Sequence, residues 1–287
     1  MIIYSNGCSH TADMGANFHN VYIDIVAKEL LKTYEKIYAC EGHYNKNKNF
    51  KFYELNSDKN YLIKHAEHGK SNDLIFFESY NIIKNAINSG VKLDYVVIQF
   101  SGVNRRIHTL PNGGLLSVNP WDNSALGVKF EPFATEQSLQ YLLILQDLLN
   151  QNFINYVFIP YMEFDSDVLS KSDKLDYIDN ERLSTSLFSG HRNDFRKRGM
   201  TVDASGHPNF LGYYELATIV LDKFHYAKDN MKDIETYFSK RIRERDLYKD
   251  EPGIRWIKKY GDILGDGTED EVDEARGIQK KPKNNLI

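Results

Sequence analysis

Three side chains able to carry acyl-transfer chemistry fall in two widely separated stretches of the chain. Near the N-terminus, Ile2-Ile3-Tyr4 is a short apolar, β-favouring run, and Asn6-Gly7 follows it with two residues that tolerate left-handed backbone angles. This pattern predicts a strand ending in a tight turn at Ser5-Asn6-Gly7-Cys8-Ser9-His10-Thr11. A hydroxyl carried by Ser9 where the chain reverses projects beyond the sheet edge, and its own N–H has no ladder partner. That is the arrangement of a nucleophile with a built-in oxyanion donor. An ordinary strand-to-helix turn accounts for the same residues when they are taken alone. The second half of the chemistry lies in Asp203-Ala204-Ser205-Gly206-His207-Pro208-Asn209, just before a helical run. A carboxylate and an imidazole there complete the order Ser, Asp, His.

Two further residues fall where the same chemistry needs hydrogen-bond donors. Gly69, in Gly69-Lys70-Ser71-Asn72, lies in a predicted strand-to-helix loop, where a glycine lets the backbone approach a ligand with its N–H exposed. A turn glycine with no ligand is an equally good reading of that position by itself. Asn104, in Ser101-Gly102-Val103-Asn104-Arg105, follows the most apolar strand and is placed to aim an amide into the crevice beyond it. A plain Asx-turn is the competing reading.

Taken together, Ser9, Gly69, Asn104 and the Asp203/His207 pair resemble the four blocks of the SGNH, or GDSL-like, serine hydrolases, over roughly residues 1–226. Gly7-Cys8-Ser9-His10-Thr11 is similar to the variant of the first block with Cys in place of the usual Asp. The resemblance implies a flavodoxin-like three-layer α/β/α sandwich with a central parallel sheet. It also implies Ser9 as nucleophile, His207 as base, Asp203 as the residue orienting the ring, and the Ser9 N–H, Gly69 N–H and Asn104 side chain as oxyanion donors. No metal or organic cofactor is implied. Two departures stand out: the family usually places Asp three residues before His, whereas Asp203 precedes His207 by four, and Arg105 follows Asn104 where an Asp is frequent. His191 is the alternative base and Cys8 the alternative nucleophile.

The elements that must position these residues are legible as periodicities. Val21, Ile25, Val26, Leu30 and Leu31 predict a first helix whose N-terminus faces the Ser9 turn. Ile37 to Leu55 holds a polar Asn45-Lys46-Asn47-Lys48-Asn49 tract that reads as an exposed loop. Tyr61 to Ala66 predicts a second strand, and Ser71 or Asn72 the N-cap of a helix carrying Leu74, Ile75, Phe77, Ile82, Ile83, Ala86 and Ile87. Leu93 to Phe100 reads as a central parallel strand, buried on both faces. His108 to Glu131 is long, rich in Gly, Pro and Asn, and without periodicity, so it reads as a functional or disordered loop, with Trp121 as a candidate apolar or sugar-stacking surface of the cleft. A leucine-rich helix over Leu139–Leu149, a strand over Phe153–Ile159 and a helix from about Phe210 complete the domain.

Composition frames the function classes. The chain has 287 residues, 36 Lys+Arg against 40 Asp+Glu and a formal net charge of −4, so no basic field indicates nucleic-acid binding. Two cysteines, Cys8 and Cys40, are too few for a disulfide scaffold. No charged leader precedes an apolar stretch and no run is long enough to span a bilayer. The expectation is a cytoplasmic protein that does not engage a membrane, with virion association as the alternative. His65 and His68 have no carboxylate at matching distance, and Asp165/Asp167 lack the rest of a calcium loop, so no metal site is expected.

The expected organisation is a hydrolase-like domain over residues 1–228, a docked helical extension over 229–260, and a polar tail over 261–287 that is solvated or engages a protein partner. The expected activity is ester hydrolysis that removes a small acyl group, such as O-acetyl, from a carbohydrate. The alternative is a non-catalytic binding or structural module of a phage or surface-polysaccharide system.

Overall fold

The computed structural model describes residues 1–8, 11, 21–39, 51–67, 70–102, 106–109, 115–118, 131–160, 174, 177–184 and 210–226. Five strands, β1 (Ile2–Asn6), β2 (Glu35–Tyr38), β3 (Tyr61–Lys64), β4 (Tyr95–Gln99) and β7 (Asn155–Ile159), form one sheet in the order β2-β3-β1-β4-β7. Every pairing in it is parallel. With edge strand β2 set aside, β3-β1-β4-β7 reads 2-1-3-4, the order of flavodoxin-like doubly wound sheets. Leu183 adds a parallel bridge to Phe158 on the outer side of β7, where Phe158 N–H donates to Arg182 O and Phe158 O accepts from Ser184 N.

Strand residues alternate between two apolar layers, as the period of two requires. Ile3, Leu62, Val97, Val157 and Ile159 face α1 (Tyr22–Leu31) and α4 (Phe210–Lys223). Tyr4, Ile63, Val96, Ile98, Tyr156 and Phe158 face α2 (Asn72–Asn88) and α3 (Glu131–Gln151). The result is a three-layer α/β/α sandwich. Right-handed crossovers explain the split: the chain winds one way from β1 to β2 and the other way from β3 to β4 and β7, so the helices fall on opposite faces. The switch point lies at the carboxyl ends of β1 and β4, where ligands bind in folds of this kind.

The tract 45–49 lies outside the described residues, and its described flanks carry structure. Residues 37 and 38 belong to β2, and Phe52–Glu54 forms a single 3-10 turn with Phe52 buried. Pairing against β3 makes β2 a strand although its sequence, Glu-Lys-Ile-Tyr, carries little alternation. In the long segment after β4, Arg106–Thr109 (β5) and Leu115–Val118 (β6) pair antiparallel as a hairpin, with Ile107 opposite Ser117 and His108 opposite Leu116. A two-stranded ribbon is short enough to leave no period in the sequence. Trp121, the extension 229–260 and the tail 261–287 lie outside the described residues. Among the described residues, no helix is long and apolar enough to cross a membrane.

One polar cluster interrupts the α1 face. Lys64 stands among apolar neighbours with its side chain 1% exposed, and its Nζ lies 3.3 Å from Asp24 Oδ2 on α1. Lys36 on β2 pairs with the other oxygen of the same carboxylate. One buried carboxylate thus serves two ammonium groups from adjacent strands, fixing β2 and β3 beneath α1. We expect Asp24→Asn to cost about 3–5 kcal/mol in urea unfolding, because it removes the shared counter-charge, and Lys64→Met to cost clearly less. Equal effects of the two substitutions would show that the carboxylate is not the shared anchor.

Candidate active site

Ser9, Gly69, Asn104, Asp203 and His207 lie outside the described residues, as do Arg105 and the alternative base His191. The described residues on either side of them define the scaffold from which these segments depart. Cys8 follows the carboxyl end of β1, Glu67 and Lys70 follow β3, and Gly102 follows β4. At its C-terminal end α4 is anchored near the amino ends of the strands, where Phe224 packs edge-on to Tyr95 at 4.8 Å. Its 14 residues span about 21 Å, longer than the five-residue strands, so its first turn lies toward their carboxyl ends.

Hydrogen bonds tie the departing segments to one another. Beyond the β1–β3 ladder, His65 N–H donates to Ser5 O at 2.8 Å and Glu67 N–H to Gly7 O at 3.1 Å. Between β1 and β4, Gln99 Oε1 accepts from Cys8 N–H at 3.2 Å, from the Cys8 thiol at 3.1 Å and from the Thr11 hydroxyl at 3.2 Å. Thr11 N–H donates to Cys8 O at 3.0 Å, and the Thr11 hydroxyl lies 2.9 Å from the hydroxyl of Tyr22, the first residue of α1. The entry to α1 therefore touches the segment that contains Ser9. Between α2 and β4, Asn72 Oδ1 accepts from Ser101 N–H at 2.6 Å while its amide donates to the Ser138 hydroxyl of α3 at 3.0 Å. Ser71, not Asn72, caps α2, accepting from Leu74 N–H at 3.3 Å.

On the α2 face, the end of β1 is held by a compact polar group. Asn6 Oδ1 accepts from Gly7 N–H at 2.8 Å, and its amide donates to Ile75 O at 3.2 Å and to the Ser79 hydroxyl at 3.0 Å. Lys70, 1% exposed, reaches Asn6 Oδ1 at 3.3 Å and also contacts His65 O and the Glu78 carboxylate. Burial raises the Glu78 carboxyl above its ordinary value, against the pull of Lys70 and Asn6. His65 Nε2 lies 3.6 Å from Glu78 Oε1, a contact that favours the imidazolium. Burial and the nearby Lys70 ammonium outweigh it and push the His65 pKa down from 6.5 to about 3, so the ring is neutral; among the described residues its Nδ1 meets no hydrogen-bond partner. Burial also raises the Tyr22 phenol. Among the described residues, no group of three or more His, Cys, Asp or Glu side chains is arranged to hold a metal ion.

The turn that follows β1 differs from the sequence expectation in its physics. Neither Asn6 nor Gly7 is among the described residues with positive φ, which are Lys32, Phe153, His225 and Gly90. Asn6 completes the strand, and Gly7 is needed for closeness: a Cβ there would lie 2.6 Å from Thr11 Oγ1 and 3.0 Å from Gln99 Cβ. Cys8 is buried with its thiol on Gln99, a setting that opposes the alternative in which Cys8 is the nucleophile. Asn6, Lys70, Asn72 and Gln99 were not singled out from sequence as site residues. Gln99 carried a usable signal, a polar residue inside an otherwise apolar strand that had to find a partner. Lys70 carried none.

No family model and no curated protein matches the chain. Among solved structures, it is similar to an acetyl xylan esterase, AlAXEase, with a TM-score of 0.40 and 14% identity, covering 78% of this chain and 98% of that one. It is also similar to protein YXIM from Bacillus subtilis, with a TM-score of 0.39 and 10% identity, covering 78% of this chain and 55% of that one.

Two predictions follow from the packing at the end of β1. Gly7→Ala forces Thr11 off two hydrogen-bond partners and should cost about 1–3 kcal/mol in denaturant unfolding. A change within error would mean that Thr11 moves aside freely. For His65, the unfolded chain binds a proton that the folded one refuses between pH about 3 and 6.5. Its contribution to stability is therefore complete at neutral pH and falls as pH drops below 6.5, by up to about 1.4 kcal/mol per unit. Glu78 acts in the opposite direction below its own raised pKa. Unfolding curves of His65→Gln between pH 7 and pH 4 should therefore show a shallower acid loss than the native chain, and parallel curves would refute a neutral buried ring.

Proposed function

We propose that the protein is a serine-dependent ester hydrolase of SGNH type that removes a small acyl group, such as O-acetyl, from a carbohydrate. The observation that carries this reading is the sequence order of Ser9, Gly69, Asn104 and Asp203/His207. It is supported by the described flanks of the first three, which leave neighbouring strands β1, β3 and β4 at one sheet edge and are cross-tied there through Gly7, Gln99 and Asn72.

In this reading Ser9 Oγ attacks the ester carbonyl carbon while the His207 imidazole takes the hydroxyl proton. The tetrahedral oxyanion receives hydrogen bonds from the Ser9 and Gly69 N–H groups and the Asn104 amide, one such donor being worth roughly 2.7–4 kcal/mol of barrier. Collapse expels the sugar hydroxyl, which recovers the proton from the imidazolium. Water then repeats the sequence on the acyl-serine and releases the acid. Asp203 holds the ring tautomer and stabilises its cation. The extra residue between Asp203 and His207 requires a longer turn than the family pattern, and it is the feature that favours the second reading, a binding module of the same fold.

The experiment is covalent labelling of the native chain with a fluorophosphonate, together with acetate release from an acetylated glycan. Labelling and release are expected, and Ser9→Ala should abolish the first and lower the second by about a thousandfold or more. Absence of both in the native chain would overturn the hydrolase reading and favour the binding module. Retained activity in Ser9→Ala with loss in Cys8→Ala would move the nucleophile to Cys8.

A further inference from the structure

A buried lysine at this sheet edge has no part in the acyl-transfer steps. Lys70 follows Gly69 directly, and its ammonium meets three elements at once: Asn6 Oδ1 at the end of β1, His65 O in the segment after β3, and the Glu78 carboxylate on the second turn of α2. Taking a lysine out of water costs several kcal/mol unless the charge is opposed and every donor is used. Here both conditions are met, with one carboxylate and two carbonyl-type acceptors around a side chain that is 1% exposed. The same Asn6 oxygen that accepts from Lys70 also accepts from Gly7 N–H, two residues before Ser9. Asn6 in turn donates its amide to Ile75 O, the Ser79 hydroxyl and, at 3.4 Å, the Glu78 carboxylate.

We infer that Lys70 is a positioning residue, whose buried ammonium locks the segment leaving β1 against the segment joining β3 to α2. The inference rests on the hydrolase reading in one respect: those two segments would carry the nucleophile Ser9 and the oxyanion donor Gly69. Their separation decides whether a hydroxyl and an N–H address the same carbonyl. A displacement of about 1 Å is enough to cost on the order of a hundredfold in turnover. The charge does no chemistry itself, since its donors are already engaged by Asn6, His65 and Glu78. Its effect passes through the backbone at Gly7 and Glu67, whose own hydrogen bond of 3.1 Å spans the same gap.

The test is site-resolved amide hydrogen exchange on the full chain alongside steady-state hydrolysis of a small acetyl ester, for the native protein, Lys70→Met and Glu78→Gln. Glu78→Gln keeps an acceptor for Nζ while removing the opposing charge. Expected in both variants is faster exchange at the Gly7 and Glu67 amides, with the β4–β7 ladder unchanged. Turnover per folded molecule should fall about tenfold to a hundredfold for Lys70→Met and less for Glu78→Gln, with KM nearly constant.

A uniform rise in exchange across the sheet, or no change at Gly7 and Glu67, would overturn the inference and reduce Lys70 to a contributor to global stability. Local loosening with turnover intact would overturn the positioning role. Should Lys70→Met fail to fold, Glu78→Gln decides by the same readouts. A native chain that neither turns over esters nor reacts with a fluorophosphonate would sink the hydrolase reading, and local loosening in the variants would then still establish the clamp.

Discussion

The organising constraint is the burial of β1. It has a strand on each edge and helices on both faces, so Ile3, Tyr4, Ser5 and Asn6 are all shielded from water. Where the chain leaves this strand, the described residues Gly7, Cys8 and Thr11 are buried as well, and their N–H, C=O and side-chain polar groups are kept from solvent. Each must find a partner within the protein or cost about 1–3 kcal/mol. The partners come from the elements that surround the strand end: Gln99 from β4, Lys70 and Glu67 from the β3–α2 connection, and Ile75 and Ser79 from α2.

That requirement ties the carboxyl ends of β1, β3 and β4 to one another. Gln99 collects three donors on one oxygen, all from the segment that begins at Cys8. Asn72 does the corresponding work for the segment after β4, and through Ser138 it joins α2 to α3. Neither amide titrates near neutral pH, so these braces hold without depending on protonation. Ionisable groups flank them, with Glu78, Lys70 and a neutral His65 on the α2 side and the Asp24, Lys64 and Lys36 group on the α1 side. Both groups tie strands to helices through charge: Asp24 of α1 to Lys64 and Lys36 of β3 and β2, and Glu78 of α2 to Lys70 beside the end of β1.

Much of the architecture could be read directly. The apolar runs at β1, β3, β4 and β7 and the amphipathic runs at α1, α2, α3 and α4 match the expected elements to within a few residues, apart from α3, which starts eight residues earlier than its leucine run at Leu139. These depend on local pattern, because a period of 2 or 3.6 is written into the residues themselves. Edge strand β2 and the β5–β6 hairpin were not read, since both are four-residue strands that exist through pairing with a neighbour rather than through alternation.

The sequence by itself determined a parallel α/β sheet and the edge from which its loops depart, and it carries Ser9, Gly69, Asn104, Asp203 and His207 in an order that resembles the SGNH blocks. Only the tertiary structure decided that Gly7 is a glycine because Thr11 and Gln99 press against it, that Cys8 is a buried thiol on Gln99, and that Lys64 and Lys70 are interior residues. The reason is physical. Burial of a lysine, or crowding at a glycine, is a property of what distant segments bring to that point, and nothing within a few residues along the chain records it.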